Sequence, residues 1–272
     1  MQGRLSPPED GRFQSFPRSS WRAEIALARE AGLSYIEWIY DDYGSSANPI
    51  MTEEGVQELT ALKSEHSIAT PAICVDWLMD FPLLRASDSE CAHRQSVLHQ
   101  MLRRAKRIEA RRLVLPFVDA SSIRTEEEEN SVLHILERAL PVAEDLGVEM
   151  HLEADLDPDR FRRFLARIPH PMIKVNYDTG NSSGLGYVAS EEFASYGDRI
   201  GSIHIKDRRR NPDSSVATMP LGEGSADFDD VFASIRSIHY SGGLTLQVAR
   251  GEPGDELNWM KKQIAFVRRY WA

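Results

Sequence analysis

"GSIHIKDRRR", residues 201–210, begins with the alternation of a β-strand, carried by Ile203 and Ile205, and ends in His204, Lys206 and Asp207. A strand bound for a core has no use for ionisable groups at its end unless that end faces something other than the core. Two other runs behave alike: "VEMHLEAD" (148–155) and "MIKVNYDTGN" (172–181). One architecture has to account for all three.

Working outward, short β-branched runs alternate with helical patterns along the whole chain. The strand-like runs are "MQGRL" (1–5, the weakest), "YIEWI" (35–39), "ATPAICV" (69–75) and "RLVLPF" (112–117), then "VEMHLE" (148–153), "IKVNY" (173–177), "IGSIHIK" (200–206) and "GLTLQV" (243–248). Between them lie helices such as 20–32, with Trp21, Ile25 and Ala28 on one face and Gly32 as its stop. Residues 52–66 open on Thr52 as N-cap, and 128–147 read as a longer helix that Pro141 should kink. Strict strand–helix alternation over this length predicts parallel βαβ units closed into a (β/α)8 TIM barrel. A doubly wound open sheet is the second choice, but no G-x-G-x-x-G follows an early strand. In the barrel, strand bodies are packed and their C-terminal ends line the active site, so charge at three strand ends marks chemistry.

The chain has 272 residues, 42% hydrophobic and 27% charged, with a formal net charge of −10. No linker or low-complexity segment breaks it, so a single domain over 1–272 is expected. No run approaches the roughly 18 apolar residues of a membrane span, and "MQGRLSPPEDGRF" has no apolar signal core. Cys74 and Cys91 give neither a disulfide framework nor a zinc spacing, and a reducing cytoplasm is the expected compartment. The negative charge argues against a nucleic-acid partner, and the basic stretch 103–112 reads as a solvated face.

The polar residues at or just past strand ends are Glu37, Asp76, His151, Glu153, Lys174, Asn176, Asp178, Asn181, His204, Lys206, Asp207, Gln247 and Arg250. Residues i and i+2 share a strand face, so His151 with Glu153, and His204 with Lys206, can point together into the barrel. Glu153, Asp178 and His204 come from three consecutive strands and suit Mn²⁺, Mg²⁺, Co²⁺ or Zn²⁺ at an open site. Taken singly, each has a plainer role: a carboxylate such as Asp207 can pair with Arg208 at the surface, and His151 can be a hydrogen-bonded support. Trp38, Trp77, Phe81 and Phe117 either cover the apolar face of a sugar or pack the core. The run "KDRRR" either holds an anion or is a solvated loop.

"LEAD", "YDTGN", "HIKD" and "PLGEGSADF" together resemble the xylose isomerase-like TIM barrels, which include sugar isomerases and epimerases, inosose dehydratase and endonuclease IV. The likeness runs from about Glu37 to Gln247, and "HIKD" followed by "GEG" is similar to the sugar-phosphate isomerase/epimerase branch. It implies Glu153, Asp178 and His204 as metal ligands, with position 247 as the fourth. That position departs from the pattern: the family has Glu where this chain has Gln247. Glutamine can offer a carbonyl oxygen to a hard cation but cannot accept a proton, so proton transfer between two glutamates is not expected here.

The expected activity is therefore that of a metal-dependent isomerase, or an epimerase-like enzyme, acting on a small sugar, ketose or related hydroxy-carbonyl compound. One divalent ion would stabilise an enediolate, with Glu153 as general base tuned by His151 and with Lys206 assisting. Glu37, Trp77, Asn176 and Arg250 are expected to contact the substrate. A lyase or hydrolase on the same metal platform, and a non-catalytic sugar-binding barrel, are the two alternatives. The expected partners are a sugar-like small molecule and further copies of the chain, as a homodimer or homotetramer, with neither nucleic acid nor membrane.

Overall fold

Each predicted strand from 35 onward ends at the same face of a barrel wall. The computed structural model describes residues 1–211 and 215–271. The strands are β1 (Trp38–Ile39), β2 (Ala72–Cys74), β3 (Arg112–Phe117), β4 (Glu149–Ala154), β5 (Ile173–Asp178), β6 (Ile200–Ile205), β7 (Asp207–Arg210), β8 (Val216–Met219) and β9 (Leu244–Leu246). Seven pair in parallel in the order β1-β2-β3-β4-β5-β6-β9, while β7 and β8 form a separate antiparallel hairpin. The helices are α1 (Trp21–Ala31), α2 (Glu53–His66), α3 (Trp77–Asp80), α4 (Asp88–Arg107), α5 (Glu126–Leu146), α6 (Pro158–Ala166), α7 (Thr179–Leu185), α8 (Ala189–Tyr196), α9 (Phe228–Ser237) and α10 (Glu256–Val267). The fold is a TIM barrel, with apolar strand bodies such as Ile73, Leu113, Leu115, Ile173 and Ile203 fully buried. Among the described residues, no helix is long and apolar enough to cross a membrane.

Local signals set the helix ends as the sequence predicts. Thr52 caps α2 by accepting from the Gly55 N–H, and Gly32 ends α1 in the left-handed conformation, φ 83°. Pro141 lies inside α5, which continues through it as one element.

The first expected strand is a correction. Residues 1–5 occupy the seam between β9 and β1 without forming a ladder, because Gly3 turns left-handed at φ 76° and breaks the extended run. Gln2 still donates its N–H to the Glu37 carbonyl and accepts from the Ile39 N–H, each at 3.0 Å. Glu24 of α1 holds the segment from below, accepting from the N–H of Gly3 and Leu5 and from the Ser6 hydroxyl. Below that clamp the seam opens as a cleft of about 300 Å³ between residues 34–36 and 242–246.

Register matters most between β5 and β6. Val175 pairs with Ile200, but Asn176 pairs with Ser202, so Gly201 is an extra residue in β6. Downstream of it Asp178 pairs with His204. Without the extra residue Asp178 would stand opposite Ile203.

Candidate active site

The C-terminal strand ends lie beneath a cavity of about 290 Å³ whose lining includes Gln14, Asp76, Glu153, Asn181, Lys206 and Gln247. Glu153 lines it, and ligand atoms of Glu153, Asp178 and His204 lie within 4.8 Å of one another, the last two residues buried behind the lining.

The segment "DTGN" (178–181) builds much of this site. Asp178 ends β5 and its Oδ1 caps α7, accepting from the N–H of Gly180 at 2.9 Å and Asn181 at 2.8 Å. The hydroxyl of Thr179 donates to the Lys206 carbonyl and accepts from the Lys206 N–H, tying α7 to the end of β6. Gly180 leaves room for the Lys206 stem: a Cβ there would lie 2.6 Å from its Cγ. Asn181 donates to Glu153 Oε1 at 2.7 Å, and its own Oδ1 accepts from Lys206 and Arg208. Glu153 Oε2 accepts from Asn176 at 2.7 Å.

His204 is enclosed by carboxylates. Its Nε2 lies 2.6 Å from Glu37 Oε1, and its Nδ1 lies 3.2 Å from Glu153 and 3.8 Å from Asp178. Burial alone would lower the His204 pKa, but Glu37, Asp178 and Glu153 together hold it well above the usual imidazole range. Burial likewise opposes ionisation of Asp178, yet Lys206 and His204 bring its carboxyl down to about 2.

Three buried atoms at this site have no hydrogen-bond partner among the described residues: Asp178 Oδ2, His204 Nδ1 and Gln247 Oε1. Buried polar atoms without partners are costly, and an oxygen, an imidazole nitrogen and an amide oxygen together are what a divalent cation takes up. The donor set therefore fits a metal ion, with Glu153 completing it. The amide of Gln247 is oriented for this. Its Nε2 donates to Gln14 Oε1 at 2.9 Å, which leaves Oε1 as the free end.

Several expected roles change. Glu37, expected to touch substrate, is wholly buried and instead braces His204 from behind. His151 shares the inner face with Glu153 but sits lower: its ring lies 2.7 Å from Ser202 Oγ and 2.8 Å from Glu149 Oε2. It reaches Glu153 only through Ser202, which donates to Asn176 Oδ1 at 2.6 Å. Burial lowers the His151 pKa, and the Glu149 carboxylate opposes that. Trp77 packs on Phe81 at 4.5 Å between ring centroids, and neither ring lines the cavity. Trp38 and Phe117 are core residues, and the aromatic that does line the cavity is Phe13. Arg250 binds the Phe13 and Ser6 carbonyls, holding the loop above the barrel in place of a substrate group.

Asp207 is a further correction. It makes no surface pair but is fully buried, accepting from the N–H of Gly222 (2.9 Å), Gly224 (2.8 Å) and Ala226 (3.1 Å). That cradle is the physical content of "HIKD" with "GEG". Of the arginines that follow, only Arg208 lines the cavity, and Arg209 and Arg210 bind carbonyls of neighbouring loops. Gln14 is the residue that sequence reasoning missed. It lies in a loop and joins Gln247 to Asp76 across 233 and 62 positions of chain, contacts with no periodic signature.

A family model for the xylose isomerase-like TIM barrel matches residues 25–270. The L-ribulose-5-phosphate 3-epimerase UlaE of Salmonella paratyphi C is 20% identical over 259 residues, covering 90% of each chain. Among solved structures, the IOLI protein with a bound zinc atom superposes with a TM-score of 0.78 at 16% identity, covering 92% of this chain and 94% of its own. The D-allulose 3-epimerase of Methylomonas sp., in complex with D-allulose, does so at 0.75 and 18% identity, covering 98% and 94%. At these identities the superpositions speak to the fold.

Proposed function

The chain belongs to the xylose isomerase-like TIM barrel family, and on that premise we propose that it is a metal-dependent enzyme that isomerises or epimerises a small ketose or related hydroxy-carbonyl sugar. The observation that carries this reading is the set of three buried atoms that make no hydrogen bond, Asp178 Oδ2, His204 Nδ1 and Gln247 Oε1, beside Glu153, which with Gln247 lines a sugar-sized cavity. Support also comes from the relatives, one named for L-ribulose 5-phosphate and one holding D-allulose, both ketoses.

The reaction needs a base beside a carbon whose proton is acidified by a neighbouring carbonyl. Glu153 takes that role: Asn176 and Asn181 each donate to a different one of its oxygens, so the carboxylate is held in one orientation. Glu153, Asp178, His204 and Gln247 would hold a divalent ion, which would supply Lewis acidity to substrate oxygens. Lys206, 3.6 Å from Asp178 and hydrogen-bonded to Asn181, presents an ammonium at the same wall to donate to a substrate hydroxyl or carbonyl. His151 acts only through Ser202 and Asn176, as a positioning residue.

Elemental analysis and proton NMR in D₂O test this reading together. Protein loaded with Mn²⁺, Mg²⁺, Co²⁺ or Zn²⁺ should bring solvent deuterium into one carbon-bound position of a ketose such as D-allulose or L-ribulose. Fully metal-loaded protein that exchanges no ketose or uronate would leave a lyase, a hydrolase or a non-catalytic sugar-binding barrel as the better reading.

A further inference from the structure

Glu153 can remove a proton, and Gln247 cannot return one. Where the proton comes back decides between simple exchange, isomerisation and inversion, so the other carboxylates of the cavity matter. They are Asp41, Asp76, Asp80 and Asp119. Asp41 is committed to backbone, its Oδ2 accepting from Phe16 N–H and its Oδ1 from Gly44 N–H. Asp80 and Asp119 stand towards solvent at the rim. That leaves Asp76.

Asp76 precedes α3 at the position where a carboxylate ordinarily caps the helix, yet its side chain makes no capping bond. It turns into the cavity, where Oδ2 accepts from Gln14 Nε2 at 2.6 Å and Oδ1 from the Cys74 thiol at 3.1 Å. Gln14 is locked in that direction, because its Oε1 already accepts from Arg4 and Gln247. No lysine or arginine pairs with Asp76 among the described residues. Burial raises its carboxyl to about 6, with the charges of Asp41 and Glu153 adding to the rise and the two hydrogen bonds opposing it. An acid poised there moves between its two forms near neutrality. Asp76 and Glu153 both line the cavity, one just after β2 and the other near the end of β4, with β3 between the two strands.

We infer that Asp76 is a second proton-transferring group of this site, serving a bound sugar from a different side than Glu153. This rests on the reading of Glu153 as the base proposed above. In the forward direction Glu153 takes the carbon-bound proton, leaving an enediolate, and protonated Asp76 delivers its own proton to the same carbon. The inverted sugar leaves, and Glu153 and Asp76 regain their starting forms by exchange with water. No oxidant or second reactant is needed. In the reverse direction Asp76 is the base.

The test uses the full-length metal-loaded protein with D-allulose and with D-fructose, which differ only in the configuration at C3, each in D₂O and followed by proton NMR. Wild-type protein should label both sugars at C3 and interconvert them. Asp76→Asn and Glu153→Gln should each lose interconversion by a factor of about 10² or more, and each should still label one sugar. The two variants should label opposite members of the pair, a pattern that loss of packing does not produce. Interconversion by Asp76→Asn at the wild-type rate would overturn the assignment. So would loss of labelling of both sugars by Asp76→Asn with metal content and melting temperature unchanged. Should Asp76→Asn not fold, labelling of neither sugar by folded Glu153→Gln with full metal content overturns it equally. Wild-type protein that labels one or neither of these sugars and inverts none refutes this inference alone, and wild-type protein that labels no ketose or uronate refutes the isomerase reading as well.

Discussion

Asp178 and His204 are Cα partners across β5 and β6 because Gly201 adds one residue to β6 upstream of them. The bulge also depends on glycine being glycine. A Cβ at 201 would lie 2.6 Å from the His151 ring and 2.9 Å from Lys174 Cβ.

Gly201→Ala should therefore lower stability by about 1–3 kcal/mol through overpacking. It should also lower metal content, since relief of the clash moves the strand that carries His204. Thermal melting and elemental analysis on one preparation check both effects. An unchanged melting temperature with full metal content would show that the bulge tolerates a side chain.

Asp178→Ala and His204→Ala each remove one of the buried atoms that make no hydrogen bond beside Glu153. Wild-type protein, after soaking, should hold about one divalent ion per chain, and both variants should hold almost none. Full metal content in either would place the ion elsewhere.

Glu37 is wholly buried and does not line the active-site cavity, yet its Oε1 lies 2.6 Å from His204 Nε2 and fixes the ring with Nδ1 towards Glu153 and Asp178. Carboxylates in such a supporting position are typically worth 10- to 100-fold in metal affinity. Glu37→Gln should weaken binding by roughly that factor in a chelator competition while leaving the stoichiometry at one. Unaltered affinity would mean that packing alone orients His204.

Glu192 is one source of pH-dependent stability. Burial raises its carboxyl to about 7 from the ordinary 4.5, even though the hydroxyls of Tyr196, Ser182 and Tyr177 all donate to it. The folded chain thus keeps a proton that the unfolded chain releases at lower pH. This stability is complete below pH 4.5 and falls by about 1.4 kcal/mol per pH unit up to about 7. Glu192→Gln cannot ionise, so the drop in melting temperature between pH 5 and pH 8 should shrink. An identical drop in wild type and variant would refute the assignment.

What could be read in advance follows from how far each contact reaches. Glu153, Asp178 and His204 were legible because a strand alternates and neighbouring strands end together, which brings three positions to one face without any knowledge of loops. His151 obeys the same alternation, but depth along the strand is invisible to it, and Glu149 draws the ring away from the cavity. Asp207 looks like a surface residue beside arginines until the loop at 222–226 folds over it. Gln14 and Asp76 meet through a loop whose path no periodicity encodes. The missing first strand turns on one left-handed glycine, Gly3.

The double use of Asp178 reaches further than its position. With Oδ1 fixed by two backbone N–H groups of α7, its Oδ2 has almost no freedom to follow an incoming ion. A cage that cannot breathe discriminates by radius. Ca²⁺ asks for oxygens at about 2.3–2.6 Å and for six to eight of them, whereas Mg²⁺ sits at about 2.0–2.1 Å with fewer protein groups and several waters. A set of four donors, one of them immobile, should turn calcium away while admitting the smaller divalent ions, a selectivity set by the cap of a seven-residue helix.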